Sequence, residues 1–247
     1  DSTVDWSRFD IAVLRSTWDY IDRFDEFSAW IDRVAGQTRL LNPADVVRWN
    51  THKGYLIELA GRGIPIVPTQ LLRPGDKLPA MASGEWVVKP AIGAGSRDAR
   101  RFRDDAQAAA AHARRLLDSG RDVLVQPYLA RVDEAGETAL IYLGGRYLHA
   151  IRKGPLLAPN ADATAKLFAP EQIVAREPAA EELALAEKVL SALPFPAPLL
   201  YARVDLLRDP GGAPVLLELE LTEPSLFFPH APGSVERFVD ALERMRD

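Results

Sequence analysis

The chain has 247 residues, 47% of them hydrophobic, with 30 Lys and Arg against 35 Asp and Glu and a formal net charge of −5. This charge balance excludes a nucleic-acid-binding surface, because phosphate-backbone binders gather Lys and Arg in excess, while the length allows a substantial core in one large domain or two small ones. No apolar run reaches the ~20 residues of a membrane-spanning helix, and a chain without cysteine has no disulfide, thiolate metal site or cysteine nucleophile, which fits a cytoplasmic protein.

Apolar runs alternate with helical patterns, separated by Pro and Gly and without an internal repeat, so a mixed α/β protein is expected. Phe9 to Leu14 reads as a buried strand. It leads into the polar, aromatic loop Arg15-Ser16-Thr17-Trp18-Asp19-Tyr20. Open α/β sheets bind ligands at such strand ends; the alternative is a helix start capped through Asp22 or Asp25, with Trp18 as packing. Phe24 to Val34 has helical spacing. Asn50-Thr51-His52-Lys53 is read as opening a further helix that carries Tyr55, Leu56, Leu59 and Ala60 and stops at Gly61 and Gly63, before a short strand from Ile64 to Thr69. A lysine in a first helical turn opposes the dipole, which suits Lys53 if an anion sits beside it; a solvated surface lysine is the competing reading.

Trp86 to Pro90 is a strand ending in Lys89, and it runs into Ala91-Ile92-Gly93-Ala94-Gly95-Ser96-Arg97. Small residues let backbone N–H groups approach a polyphosphate, and a neighbouring lysine supplies point charge, although a hairpin turn without ligand would look the same. Neither a P-loop nor a full Gly-x-Gly-x-x-Gly pattern is present. Asp104 to Asp118 is an alanine-rich amphipathic helix, and Val123 to Leu129 an apolar strand broken at Pro127, whose edge can offer backbone groups to a flat heterocycle. Gly136 to Arg152 reads as a β-hairpin turning at Gly144-Gly145, delivering Arg152 and Lys153 at its far end. Two adjacent cations there suit a transferring phosphoryl group, or are two solvated charges.

Three carboxylates close the pattern. Asp205 lies in the run Ala202 to Leu207, and Glu218 and Glu220 alternate with leucines thirteen residues on, so both glutamates point to one face of a strand. Burying unpaired carboxylates costs several kcal/mol each, whereas Mg²⁺ takes oxygen ligands and brings nucleotide phosphates with it; the alternative is a solvated hairpin face.

The order of these segments, from about Arg15 to Ser225, resembles the ATP-grasp superfamily, in particular its glutathione-synthetase-like carboxylate–amine ligases. Within it, Arg15 to Tyr20 and Leu217 to Phe228 look most like bacterial ligases related to the O-ureido-serine cyclo-ligase of cycloserine biosynthesis. The resemblance implies an ATP-grasp fold with the nucleotide between two α+β subdomains at 71–130 and 131–247, behind an α/β substrate domain at 1–70 whose first βα unit is expected to be absent. Lys53 and Lys89 match lysines that hold nucleotide phosphates, Gly93, Ala94, Gly95 and Ser96 match the flexible glycine-rich loop, and Gln126, Pro127, Tyr128 and Leu129 match the adenine-reading hinge. Asp205, Glu218 and Glu220 match the Asp, Glu and Asn that hold two magnesium ions in glutathione synthetase, the third ligand here being one charge more negative; Mn²⁺ is the alternative metal. Arg152 or Lys153 matches the cation beside the acyl phosphate, with Arg203 as a further catalytic candidate. Arg15 matches the arginine ending a substrate-binding strand, and with Ser16, Thr17, Trp18, Asp19, Tyr20, Thr222 and Ser225 it is assigned to an amino-acid-like substrate.

The chain departs from the pattern after Pro155, where Leu156 to Ala165 reads Leu-Leu-Ala-Pro-Asn-Ala-Asp-Ala-Thr-Ala in place of an Arg/Asn-bearing segment and a Gly-Gly pair. The function implied is ATP- and Mg-dependent activation of a carboxylate for attack by a nitrogen nucleophile, joining two molecules or closing a ring. A small-molecule kinase and a non-catalytic nucleotide-binding module are the alternatives. No nucleic-acid or membrane partner is expected, and a homodimer is compatible with the sequence.

Overall fold

A computed structural model of the chain describes residues 3–81, 83–162, 172–196 and 198–246, and its strands form three sheets. The first is a parallel pair, β1 (Ile11–Val13) and β2 (Arg39–Leu41), joined through a 3-10 turn at Trp18–Asp22 and helix α1 (Phe24–Ala35). Ile31 and Val34, one helical turn apart, pack on Ala12, Leu14 and Leu40.

Helices α2 (Ala44–Thr51) and α3 (Tyr55–Gly61) follow, and here the sequence reading needs correction. Asn50 and Thr51 end α2 rather than opening a helix. Lys53 sits in the elbow between the two helices, where its backbone N–H donates to the Ala91 carbonyl at 2.8 Å. That tertiary hydrogen bond leaves no trace in local sequence. The expected strand at Ile64 to Thr69 is also displaced: only Ile66 bridges to Leu216, and β3 is Gln70–Leu72. Pro65 and Pro68 cannot donate to a ladder, which pushes regular pairing beyond them.

The second sheet is antiparallel, in the order β3-β6-β4-β5, with β4 at Glu85–Pro90, β5 at Arg100–Arg103 and β6 at Val123–Pro127. Helix α4 (Ala106–Asp118) is capped by Asp105, whose carboxylate accepts from the Ala108 N–H at 2.9 Å. Its stripe of Ala109, Ala113, Leu116 and Leu117 packs on Val88, Phe102, Val123 and Val125.

After the short α5 (Val132–Ala135), the third sheet runs β11-β10-β7-β8-β9, all antiparallel. Its strands are β7 (Glu137–Leu143), β8 (Arg146–Lys153), β9 (Ile173–Arg176), β10 (Tyr201–Arg208) and β11 (Pro214–Glu220). The β7–β8 turn is Gly144-Gly145, with φ of 54° and 75°, a region that side chains resist. Strand alternation divides the core. Leu140 and Tyr142 face Val204, Leu216 and Leu219 together with α2, α3 and α6 (Ala180–Ser191), while Ala139, Ile141 and Leu143 face Leu41, Tyr201, Leu226 and α7 (Ser234–Arg244). Helices α2 and α3, expected within a 1–70 unit, therefore share the core of the third sheet.

β11 ends that sheet, and side chains rather than a strand satisfy its outer edge. The Asn50 amide donates to the Leu219 carbonyl at 2.7 Å and accepts from the Leu221 N–H at 2.7 Å, while the Tyr55 hydroxyl donates to the Leu219 carbonyl and accepts from its N–H, both at 2.9 Å. Farther along, Leu216 exchanges backbone hydrogen bonds with Pro65 and Val67. Among the described residues, no helix is long and apolar enough to cross a membrane.

Candidate active site

β10 and β11 pair with Arg203 opposite Glu220 and Asp205 opposite Glu218, so four charged side chains share the sheet face turned toward the second sheet. The β7–β8 hairpin adds Glu137 and Lys153, which are cross-strand partners. Lys153 Nζ lies 2.5 Å from Glu137 Oε1 and 2.9 Å from Asp205 Oδ2. The Arg203 guanidinium grips Asp205 through Nε and Nη2, each at 2.9 Å, pairs with Glu220, and donates to the Ser225 carbonyl at 3.2 Å. From the opposite side, Lys53 Nζ donates to the Gly93 carbonyl at 2.7 Å and lies 3.2 Å from Glu218 Oε1. Among the described residues, the Lys89 ammonium has no hydrogen bond or ion pair.

These groups line one cleft of ≈ 260 Å³ between the second and third sheets. Val87 and Leu217 add apolar lining, and Gly93 to Ser96 and Gln126 to Leu129 line it as well. Burial raises the Asp205 carboxyl, but Arg203 and Lys153 outweigh it and hold the group well below the usual carboxylate range. Glu218, also pushed up by burial, is brought down by Lys53 and Lys89. Burial dominates at the remaining acids: it raises Glu220 against the pull of Arg203, lifts Glu137 to about 7, and lifts Glu223, with help from Glu220, to about 8. Burial likewise lowers Lys89.

The cleft gathers most of the residues singled out in the sequence: Lys53, Lys89, the glycine-rich loop, Gln126 to Leu129, Lys153, Arg203, the three carboxylates, Trp18, Tyr20, Thr222 and Ser225. It excludes others. Arg152 points away, as a strand neighbour of Lys153 must, and donates to the Ala135 and Glu134 carbonyls at 2.6 and 2.7 Å. Arg15 donates to the Pro224 carbonyl at 2.9 Å and sits among the rings of Tyr201, Phe228 and Phe238, 5.8 to 6.0 Å from their centroids. Ser16, Thr17 and Asp19 also lie outside the lining, so the strand-end loop contributes only Trp18 and Tyr20. In the departing segment, Leu156 and Leu157 line the cleft, while residues 163–165 lie outside the described residues.

Glu137 and Glu223 line the cleft and were not singled out. A regular two-glycine hairpin would set Glu137 opposite Arg152; the register shift between Ile141 and Tyr142 sets it opposite Lys153 instead, and nothing local in the sequence marks that shift. Glu223 has no periodicity to betray it, since it follows the last strand.

Contrary to the expectation from the sequence, the buried carboxylates do not require a metal, because Arg203, Lys153 and Lys53 already pair with them. Among the described residues, no three acidic or imidazole side chains gather around one point as a ready-made metal site. The donor set nevertheless suits a hard divalent cation, being three carboxylates on one face of adjacent strands. Such an ion would compete with Lys53 for Glu218 and with Arg203 for Glu220.

Residues 1–42 match the family described as the N-terminal domain of D-cycloserine synthetase DcsG. The chain is 41% identical over 261 residues to the cycloserine biosynthesis protein DcsG of Streptomyces lavendulae, with all of the chain and 87% of that protein covered. It superposes on the crystal structure of D-cycloserine synthetase DcsG with a TM-score of 0.91 at 36% identity, covering 100% of this chain and 87% of that one. The ATP-grasp ligase PsnB, solved with a phosphomimetic variant of its minimal precursor, Mg and ADP, gives a TM-score of 0.60 at 18% identity over 96% of this chain and 78% of its own. Two facing sheets with a charged cleft between them are thus the fold of an ATP-grasp ligase. Within that class the chain belongs to the DcsG family.

Proposed function

We propose that this ligase uses ATP and Mg²⁺ in the cytoplasm to activate the carboxylate of an amino-acid-derived substrate, and that a nitrogen of the same molecule then closes a ring. The observation that carries this reading is the meeting, across one cleft, of Lys53, Lys89 and the glycine-rich loop with the Lys153–Asp205–Arg203–Glu220 row. Lys53 and Lys89 would take the charge of the β and γ phosphates, and Lys89, without a partner of its own, loses nothing when an anion arrives. Gly93 to Ser96 close over the phosphates, and the Gln126 to Leu129 edge receives the adenine. Asp205, Glu218 and Glu220 would hold Mg²⁺, which when bound spreads the negative charge of the transferring phosphoryl group.

A substrate carboxylate oxygen then attacks the γ-phosphorus, the bond to the β–γ bridging oxygen breaks, and ADP departs with that electron pair. Lys153 and Arg203 face the acyl phosphate so formed. The nitrogen adds to its carbonyl carbon and loses a proton, and phosphate leaves with the former carboxylate oxygen. The protein contributes position and electrostatics, so no side-chain nucleophile is needed.

The kinship with DcsG makes O-ureido-serine the first compound to test, in both enantiomers, by ADP release coupled to mass detection of the product. Mg-dependent ADP release with a cyclised product is expected. ADP release with a stable phosphorylated product and no ring would instead support the kinase alternative.

A further inference from the structure

Glu223 stands apart from the other acids of the cleft. It is 7% exposed and lines the cleft, yet no cation lies within ion-pair distance of it among the described residues, whereas Glu137, Asp205, Glu218 and Glu220 are each paired. Its surroundings are built rather than incidental. The Trp18 indole N–H donates to the Glu223 carbonyl at 3.3 Å, the Tyr20 hydroxyl faces its carboxyl, and two residues on Arg203 holds the loop through the Ser225 carbonyl. Trp18 and Tyr20 come from the N-terminal segment, so Glu223 lies where that segment meets the cleft.

A buried carboxylate beside other acids is unfavourable unless a cation joins it, and one that opens into a ligand cleft can take that cation from the ligand. On the ligase reading, the substrate's carboxylate lies toward Lys153 and Arg203. Arg203 pairs with Asp205 and donates to the Ser225 carbonyl, two residues beyond Glu223, so the loop that carries Glu223 is held beside the carboxylate end of the cleft. We infer that Glu223 receives the free ammonium group of an α-amino-acid substrate and selects against substrates whose amino group is acylated. This rests on the ligase reading for the orientation of the substrate, although not for the ammonium contact itself. The acid is displaced upward by burial when the cleft is empty, and an incoming ammonium favours the charged form.

The test compares O-ureido-serine with its N-acetyl derivative on the wild type and on Glu223→Gln, an isosteric neutral change whose folding is checked by melting temperature. Two readouts are taken: calorimetric binding of each compound, and kcat and KM from ADP release, with Mg²⁺–ADP affinity as the control. The free-amine compound is expected to lose about tenfold or more in affinity and KM in the variant. The preference over the N-acetyl compound should shrink by a similar factor, with Mg²⁺–ADP affinity unchanged. Equal preference in wild type and variant would overturn the inference, as would a variant changed only in Mg²⁺ dependence. A wild type that releases no ADP yet binds the free-amine compound through Glu223 would remove the ligase reading and keep the ammonium site. Failure to bind either compound would remove both.

Discussion

Asp205 answers to two cations at once, and this makes its shape and its charge separable. Asp205→Ala would leave Arg203 and Lys153 buried around a void, a change expected to cost about 3–5 kcal/mol and visible as a lower melting temperature. Asp205→Asn keeps the shape and removes the charge. ADP release is expected to fall by about 10²-fold or more while the circular dichroism spectrum is retained, and wild-type turnover in this variant would dismiss the metal role. Lys89→Ala belongs to the same scale: burial of this ammonium outweighs the attraction of Glu218, so nucleotide affinity should drop while stability changes little. An unchanged affinity for ATP would count against a phosphate contact. Which residues line the cleft was legible where charge and strand period coincide, as at Glu218 and Glu220. It was not legible at Glu223, whose burial depends on Trp18 and Tyr20, some two hundred residues earlier in the chain.

At the scale of elements, β11 shows how the acids are aimed. Asn50 and Tyr55 serve its backbone from the side, and the register that places Glu218 opposite Asp205 is held between them and β10. Asn50→Ala would leave the Leu221 N–H without its acceptor, at about 1–3 kcal/mol, while the Leu219 carbonyl keeps the Tyr55 hydroxyl. A lower melting temperature is expected together with reduced turnover; full activity would mean that β11 keeps its place without the amide. The sequence announced α1, α4 and the β7–β8 hairpin because each is a local pattern with a local stop. It did not announce the break between α2 and α3, since what ends α2 is Ala91 accepting from Lys53. The same limit explains Arg152 and Lys153: two neighbouring cations are indistinguishable until the hairpin decides which one faces inward.

Over the whole molecule, the surplus of buried acids ties stability to pH. Glu223 titrates near 8 and Glu137 near 7 in the fold, both above the ~4.3 of an unfolded glutamate, so the folded chain binds more protons than the unfolded one through this range. Through these two acids stability falls as pH rises toward 8, while the lowered Lys89 acts in the opposite sense on the alkaline side. The lowered histidines His112 and His149 act in the opposite sense, but only below their unfolded value of ~6.5. The ligand-free protein should therefore melt at a lower temperature at pH 8.5 than at pH 7, with a shallower dependence in Glu223→Gln. A flat profile in the wild type would contradict the burial of these acids.

The hydrogen bonds from Lys53 to Ala91 and from Ala91 to Asp122 join the α2–α3 elbow, the end of β4 and the start of β6. Lys53 and the strand that carries Lys89 are thereby fastened to one another by backbone hydrogen bonds. On the proposed reading, the two ammonium groups would meet a phosphate chain as one fixed pair rather than as two independently mounted charges.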